Sequence, residues 1–366
     1  MRQGVMARVL GALVAALMMI TACGGDGAGT DTTGDTGTTE ATGITGATET
    51  TEATGTTEAT EPLVIHAIHG SSIDFIHLVA IAAFQILEEE EGITVENQFA
   101  QEAETAIQAL VQGDAQVGVN IGVNVGVPAV DAGANIVDVV ATQRPTWALA
   151  AAPEFETMED LDGATIAVHG EASFTRAVSQ FFAAEYGYEY EELIIPGSDV
   201  RAEALAAGEI DASVIDLPDV VLLEQTFPDS FHILQTIGEQ FPELIEADVW
   251  FDAAWAEENP ELATTVVKAF LQATRRMTED TDFALGLATE NLPEVPVEVH
   301  QRLVEEYSQR GIWVEDGLLT PERALATLQF FQEVGEIDIG DDITQETVDR
   351  YFEFSYLEQA LAELDG

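Results

Sequence analysis

The chain contains very little basic charge, one cysteine and one lysine among its 366 residues. A single cysteine, Cys23, excludes an intramolecular disulfide and a cysteine metal cluster. Twelve basic residues stand against 67 acidic ones, which gives a formal net charge of −55. This charge disfavours nucleic acid and anionic membrane surfaces as partners, because both repel an acidic protein.

The acid surplus also has a consequence for stability. Like charges in a compact chain repel one another unless salt screens them, over a Debye length of about 10 Å at 0.1 M and less at higher salt. The composition therefore predicts a protein adapted to a salty habitat, with an acidic proteome.

Long apolar runs are absent apart from one near the start. Arg2 and Arg8 precede the apolar residues 9–20, a run with the length of a signal-peptide core that is too short to span a bilayer comfortably. The run ends in Ile-Thr-Ala-Cys, which resembles a bacterial lipobox with lipidation at Cys23. We expect residues 1–22 to be a lipoprotein signal peptide; the alternative is an uncleaved anchor helix with an incidental cysteine.

Large apolar side chains are almost missing from residues 24–61, which consist mainly of Thr, Gly, Ala, Glu and Asp. Such a segment buries too little surface to offset chain entropy. We expect residues 23–61 to form a disordered acidic tether, and the Thr-rich composition leaves open whether it carries sugars.

From residue 62 onward, short apolar runs alternate with helical patterns, which is typical of βαβ units and a largely parallel sheet. One arrangement occurs twice, in residues 64–73 and 165–175: an apolar strand, His-Gly, a serine at a potential N-cap and an apolar helix. A second echo, in residues 109–117 and 204–212, reads as helix end, Gly, acidic turn and new strand. Two echoes in matching order predict two similar α/β lobes with facing strand-end loops.

The order of elements predicts how the chain divides between the lobes. Residues 142–145 join two strands so briefly that they suit a crossover, and the strand at 231–236 is expected to begin the return. We therefore assign residues 62–144 plus 247–366 to lobe 1 and residues 145–246 to lobe 2. The C-terminal helices are expected to pack outside lobe 1 and to contribute little to a site.

Gly118, Gly122 and Gly126 superficially suggest a dinucleotide-binding loop. Their even spacing by four differs from GxGxxG, so we interpret them as close backbone packing at a strand end. No cofactor and no metal site are predicted.

Several residues near the strand ends are candidates for contact with a ligand. Ser71, Ser72 and Ser173 either cap their helices or also offer hydroxyls. His69 and His169 have matched positions in the two lobes. The Arg144 guanidinium would suit an anion, and an inward Glu171 would favour a ligand with a donor group. Phe174, Trp147 and Trp250 either stack on a flat ligand or pack in the core.

Four segments carry a family resemblance: Met158-Glu-Asp-Leu-Asp-Gly163 with Val168-x-Gly170, Ala204 to Ala212, Asn259-Pro260-Glu261 and Tyr356 to Leu361. They resemble the substrate-binding lipoproteins of ABC importers for aliphatic sulfonates, taurine, nitrate or thiamine pyrimidine precursors. The resemblance implies a two-lobe periplasmic-binding-protein fold of type 2 with a central cleft. It implies ligand contacts from the strand-end loops and crossover: His69, Gly70, Ser71, Ser72, Arg144, Gly170, Glu171, Ser173, Phe174, Thr175 and Asp216. Asn120, His169 and Trp250 complete our set of candidate ligand-binding residues.

The same resemblance implies partners and a location. The expected partners are a small organic solute, a membrane permease with its cytoplasmic ATPase, and the membrane itself through the lipid on Cys23. We expect a monomer held on the outer face of the cytoplasmic membrane.

Three other functions compete with solute capture for import. A ligand sensor that reports to a membrane receptor would share the fold and the cleft. A pyrimidine-synthase-like enzyme would need a lysine for pyridoxal phosphate, and Lys268 lies in a predicted scaffold helix. A structural surface protein would fit the tether but would not explain two facing loops. We therefore expect a binding protein and no catalysis.

Salt dependence tests the acid-repulsion argument. We expect the thermal midpoint of residues 62–366 to rise by several degrees between low and molar NaCl, because salt screens the self-repulsion. Calorimetry in NaCl at constant pH measures it. A midpoint that is indifferent to salt would refute the prediction.

Overall fold

The computed structural model describes residues 63–170, 173–340 and 342–366, all within one compact unit, Ala59–Gly366. The expected signal peptide, the lipidation at Cys23, the tether and the candidate Glu171 lie outside these residues. No helix in the described ranges is long and apolar enough to cross a membrane.

The strands of the described chain form two five-stranded mixed sheets. In chain order they are β1 (Val64–His69), β2 (Thr94–Phe99), β3 (Val117–Val119), β4 (Ile136–Gln143), β5 (Ala148–Ala151), β6 (Thr165–Val168), β7 (Glu191–Ile194), β8 (Ala212–Ile215), β9 (His232–Thr236) and β10 (Glu246–Asp252).

Helices cover the sheets. They are α1 (Leu78–Ile86), α2 (Ala103–Gln112), α3 (Val123–Asp131), α4 (Phe174–Tyr186), α5 (Ser198–Ala206), α6 (Leu217–Thr226), α7 (Ile237–Gln240), α8 (Ala253–Glu258), α9 (Pro260–Glu279), α10 (Thr281–Asn291), α11 (Val297–Gln309), α12 (Pro321–Glu333), α13 (Gln345–Asp349) and α14 (Ser355–Asp365).

The two sheets repeat one topology. Their orders are β2-β1-β3-β10-β4 and β7-β6-β8-β5-β9. In each sheet the first three strands in this order run parallel, and the last two neighbouring pairs are antiparallel. The predicted α/β two-lobe architecture is confirmed, and the repeated topology explains why the sequence contains matched echoes.

The chain passes between the sheets twice. It leaves the first sheet after Gln143 and enters the second at Ala148, and it returns between Thr236 and Glu246. The prediction that residues 231–236 begin the return was wrong, because β9 is the edge strand of the second sheet and pairs with β5 from Ala148↔Thr236 to Ala151↔His232. The return is made by α7 and the turn after it.

The two matched strand–helix junctions are capped differently. Ser173 caps α4 as predicted, and its hydroxyl accepts the Arg176 N–H at 3.3 Å. In the first lobe the cap is Asp74, not Ser71 or Ser72, because its carboxylate accepts the Ile76 N–H at 3.0 Å and starts a short 3₁₀ turn before α1. The sequence predicted a cap at this junction but assigned it to a serine two or three residues before Asp74.

Two of the evenly spaced glycines, Gly118 in β3 and Gly126 inside α3, pack closely against side chains and not against backbone at a strand end. Gly122 precedes α3 with a φ of 91°, a backbone conformation that favours glycine. Gly126 lies directly against the indole of Trp250, where a Cβ atom would overlap the ring. Trp250 is fully buried, so this contact fixes α3 against β10.

The C-terminal helices do more than cover lobe 1, which corrects our expectation. Phe330 of α12 packs against Phe241 at a ring-centroid separation of 4.7 Å and against Phe181 at 6.3 Å, both in the second-lobe segment. In α11, Arg302 forms an ion pair with Glu224 of α6 at 3.4 Å. Apolar and charged contacts from the C-terminal helices therefore connect them to both sheets.

A matched pair of glycine variants tests the packing of α3. We expect Gly126→Ala to lower the free energy of unfolding by about 1–3 kcal/mol, because the added methyl group would overlap the Trp250 ring. Gly286→Ala, at an exposed position of α10 with open space around it, should instead raise the free energy of unfolding by about 0.5–1 kcal/mol. Urea unfolding measures both, and equal effects of the two changes would contradict the packing argument.

Candidate functional site

A cavity of about 640 Å³ lies where strand ends of both sheets meet. Its walls come from the loop after β1, the loop before α3, the crossover before β5, the N-terminal ends of α4, α5 and α6, the start of β10, and α12. The lining residues are Ser71, Ser72, Ile73, Asp74, Ile76, Asn120, Ile121, Gly122, Val123, Asn124, Pro145, Trp147, Phe174, Ser198, Asp199, Asp216, Asp219, Leu244, Ile245, Glu246, Ala247, Asp248 and Phe331.

The first-lobe wall contains strained backbone. Asn120 and Ala247 both have a φ of 54°, in the left-handed region. Asparagine tolerates this region, but alanine rarely enters it. The Asn120 N–H donates to the Asp248 carbonyl at 2.8 Å, which ties the two strained segments together. Such outliers concentrate at binding sites, so this wall has the character of a functional surface.

The second-lobe wall is built on the end of β8. Asp216 caps α6, and its Oδ1 atom accepts the Leu217 N–H at 2.9 Å and the Thr146 hydroxyl at 2.5 Å. The Ser198 hydroxyl, at the start of α5, accepts the Asp216 N–H at 3.0 Å. These bonds fix the Asp216 carboxylate at the edge of the sheet.

Glu246 links the two chain passages between the sheets. Its Oε1 atom accepts the Trp147 indole N–H at 2.7 Å, and its Oε2 atom accepts the Thr146 N–H at 2.9 Å. Thr146 thus contacts both Glu246 and Asp216. The outgoing and the returning segments are tied together at the floor of the cavity.

Burial shifts the protonation of these acids. It raises the pKa of Glu246 to about 7. Burial, and then the neighbouring Glu246 carboxylate, raise the pKa of Asp216 well above its ordinary range. Burial also raises the pKa values of Asp219 and Asp248. Desolvation disfavours the charged form of each carboxyl group.

Five of the sequence-predicted site residues line this cavity: Ser71, Ser72, Asn120, Phe174 and Asp216. They come from both lobes, and the structure brings them together as two facing walls. Trp147, considered for stacking, also lines it.

His69 and Trp250 are placed in the core. Both side chains are fully buried, so neither offers surface to a solute in this structure. The His69 ring stacks on Phe99 at a centroid separation of 4.2 Å, and burial lowers its pKa to about 3. The Trp250 indole N–H donates to Asp248 at 2.8 Å, so Trp250 supports a lining residue from behind.

Arg144 lines a different, smaller cavity of about 190 Å³. Its guanidinium donates to the carbonyl oxygens of Gly311 at 3.2 Å and Pro242 at 3.4 Å. Pro145, the next residue, lines both cavities, whereas Arg144 lines only the smaller one. Arg144 therefore holds the C-terminal segment and does not face the large cavity.

The remaining candidates shape the loops without lining the cavity. The Gly70 N–H donates to the Val119 carbonyl, and a Cβ atom there would meet the Asn120 backbone. Thr175 accepts the His169 N–H at 2.8 Å, and His169 accepts the Gly197 N–H at 3.2 Å. Ser173 is bonded to the Gly170 carbonyl at 2.8 Å.

Sequence reasoning missed several lining residues: Asp74, Asp199, Asp219, Glu246, Asp248 and Phe331. The Asp-Leu-Pro-Asp run at 216–219 was a usable helix-start signal for Asp219. No such signal marked Glu246 and Asp248, because they are two acids among 67. The described residues contain no group of three or more His, Cys, Asp or Glu side chains arranged to hold a metal ion.

The comparisons with known proteins identify the family. Residues 89–284 match the model of the family described as NMT1/THI5 like, which is more than half of the chain. The chain belongs to the NMT1/THI5-like family. The suspected family is therefore confirmed. No curated protein sequence is significantly similar to the chain.

Solved structures share the fold of this NMT1/THI5-like protein. The periplasmic nitrate-binding protein NrtA from Synechocystis PCC 6803 is 12% identical, with a TM-score of 0.66 over 83% of this chain and 90% of that chain. The periplasmic aliphatic sulphonate binding protein SsuA from Escherichia coli is 16% identical, with a TM-score of 0.61 over 80% and 92%. A ligand-binding component of an ABC-type import system from Staphylococcus aureus, with zinc bound, is 11% identical, with a TM-score of 0.64 over 81% and 99%.

The pH dependence of stability tests the buried carboxyl groups. A carboxyl group whose pKa is raised by folding binds its proton more tightly in the folded state, and this proton stabilises the fold. The stabilisation is fully present below the pKa of the unfolded state and is lost as the pH rises through the pKa of the folded state. For Glu246 that loss falls between pH 4.5 and about 7. We expect stability in about 2 M NaCl to fall by about 1–2 kcal/mol between pH 5.5 and pH 8 from this group.

Urea unfolding at the two pH values measures the effect. Glu246→Gln should reduce the pH dependence but not abolish it, because Asp216, Asp219 and Asp248 shift in the same direction. Glu203→Gln, on the exposed face of α5, is the matched control and should leave the dependence unchanged. Stability that rises with pH over this interval would contradict the assignment.

Proposed function

We propose that this protein is the solute-binding component of an ABC importer, which captures a small organic solute between its two lobes. The observation that supports this most directly is the 640 Å³ cavity at the strand ends of both sheets. Its volume is in the range of small-molecule sites, about 300–1,000 Å³. Ligands of α/β sheets bind at the carboxyl ends of strands, and this cavity lies there.

The family and the neighbours support the same function. The chain belongs to the NMT1/THI5-like family. Structures with its fold include a nitrate-binding protein, an aliphatic-sulphonate-binding protein and a component of an import system. The general class of ligand in our proposal is a small solute from the sulfonate, taurine, nitrate and thiamine-pyrimidine-precursor range or a relative of it.

Capture would work by closure of the two lobes. Residues from both walls would contact one ligand, so the ligand would stabilise the closed arrangement by the difference between its affinities for the closed and open forms. No bond is made or broken. The closed form would then dock on a membrane permease, whose cytoplasmic ATPase drives transport.

Export and anchoring complete the proposal. The signal-like residues 1–22 and the lipobox-like sequence before Cys23 support lipidation on the outer face of the cytoplasmic membrane. Residues 23–61 would then act as a tether for a monomeric binding unit. Such an anchor would keep the captured solute close to the permease.

A sensor that presents the same solute to a receptor remains the second candidate, since it would use the same cavity. A pyridoxal-phosphate enzyme has less support. Lys268 lies on α9, where its Nζ atom is 3.4 Å from Glu363 and 3.9 Å from Glu91, and it does not line the cavity. The lysine that such chemistry requires therefore lies outside the cavity.

Lobe closure can be measured because residues 62–366 contain no cysteine. We would introduce dye pairs at Gln108→Cys on α2 and Glu203→Cys on α5, two exposed positions on different lobes. A bound solute should raise energy transfer between the dyes and, at a hundred times its Kd, add about 2.7 kcal/mol of stability. The panel would contain alkanesulfonates, taurine, nitrate, aminopyrimidines and alkyl amines.

The control is Ser72→Trp, which would fill the cavity from an exposed position in its wall and should abolish both responses. A solute that stabilises the protein without changing energy transfer would contradict closure. A solute that acts equally on Ser72→Trp would contradict binding in this cavity.

A further inference from the structure

The cavity has one sign of charge. Six of its 23 lining residues are carboxylic acids, and none is Lys, Arg or His. The acids come from both lobes and from the passages between them, so they surround the cavity. They are Asp74, Asp199, Asp216, Asp219, Glu246 and Asp248.

Ion pairs are scarce among these acids in the described part of the chain. Asp74 contacts His77 at 3.0 Å, but within the described part of the chain the other five form no ion pair. Glu246 and Asp248 accept hydrogen bonds from neutral donors: indole and backbone N–H groups and, for Glu246, the Thr146 hydroxyl. Arg201 is fully buried and donates to Ser213 and to backbone carbonyls. Its positive charge acts on Asp199 and Asp219, but it forms no ion pair with either.

Elsewhere the scarce basic residues do pair with acids. Glu306 contacts Arg302 at 2.9 Å and Arg310 at 2.7 Å, and Asp131 contacts Arg350 at 2.8 Å. Most other acids of the described chain also form no ion pair, so burial around a cavity, and not the missing partner, distinguishes the acids of the cavity.

The general acidity of the chain does not explain these side chains. Acids that adapt a protein to salt are exposed, where water and cations solvate them. Asp248 is only 2% exposed, and Asp216, Asp219 and Glu246 are half-buried. Carboxylates withdrawn from water without a counter-charge are costly, and their retention around a cavity points to a positive charge supplied by a ligand.

The arrangement disfavours two kinds of ligand. An anion such as a sulfonate or nitrate would meet six carboxyl groups and no cationic side chain in the lining. A metal ion would need several ligands converging on one point, and the described residues offer no such group. The acids are instead dispersed over both walls, and Trp147, Phe174 and Phe331 supply apolar and aromatic surface between them.

We propose that the solute is an organic cation with two or more ammonium, amidinium or guanidinium groups, bound between carboxylates of the two lobes. The inference rests on the proposed function, because it names the solute of the same cavity. One cationic group contacts Asp216 and its second-lobe neighbours, and another contacts Asp74 or Asp248. The ligand thereby neutralises two facing acidic walls and favours their approach.

Calorimetric titration of residues 62–366 at pH 8 in about 1 M NaCl tests the inference, since salt suppresses loose adhesion of cations to the acidic surface. The probes are 1,4-diaminobutane, agmatine, spermidine, n-butylamine, methanesulfonate and nitrate. We expect a multivalent amine to bind at least tenfold more tightly than n-butylamine, and the anions not to bind.

Two single variants identify the site. Asp216→Asn keeps the acceptor that caps α6, and Asp199→Asn changes an exposed side chain at the start of α5; each should weaken binding of the multivalent amine about tenfold. Glu203→Gln, an exposed acid on α5 outside the cavity, is the matched charge control and should leave the affinity within about twofold. Circular dichroism confirms that the variants are folded.

Several results would overturn the inference. If Glu203→Gln weakens binding of the multivalent amine as much as the cavity variants do, the amine adheres to the acidic surface and not to the cavity. If n-butylamine binds as tightly as the multivalent amines, the site does not require two positive charges. If an anion binds and closes the lobes while no amine binds, the proposal of a cationic solute is refuted, but the importer proposal stands. If no amine binds, the proposal of a cationic solute is also refuted. The proposed function is tested separately, by the energy-transfer measurement with the wider panel of solutes.

Discussion

Six carboxyl groups from two lobes line one cavity with a single ion pair among them, and hydrogen bonds within the fold hold them there. Asp216 is held by its role as the cap of α6 and by the Thr146 hydroxyl. Glu246 is held by Trp147 and by the Thr146 N–H. The neutral donors fix these oxygens but supply no positive charge, and burial raises the pKa of both acids, so protons or a cationic ligand relieve the repulsion between them.

The fold places this repulsion where it can control movement. The two sheets have the same strand order, and the chain passes between them at residues 144–147 and 237–245. Thr146 belongs to the first passage and Glu246 begins β10 directly after the second, so the acidic floor of the cavity adjoins both connections between the lobes. A change in charge at the floor therefore acts directly on the segments about which the lobes would close.

Local features of the fold were predictable from the sequence, whereas the chemistry of the cavity was not. Ser173 caps α4 as its sequence context indicates, because capping depends on residues three apart. His69 and His169 share one motif, yet His69 is packed on Phe99 and His169 accepts a bond from Gly197, since tertiary neighbours differ between the lobes. Glu246 and Asp248 reach the cavity only because β10 returns to the first sheet, a long-range event without a local signal.

A crystal structure of residues 62–366 grown with 1,4-diaminobutane tests the central claim most directly. The account predicts the diamine inside the cavity, with one nitrogen about 3 Å from a second-lobe carboxylate such as Asp216 and the other near Asp74 or Asp248. A closed structure with a sulfonate or another anion in the cavity, or the diamine bound only on the outer surface, would contradict it.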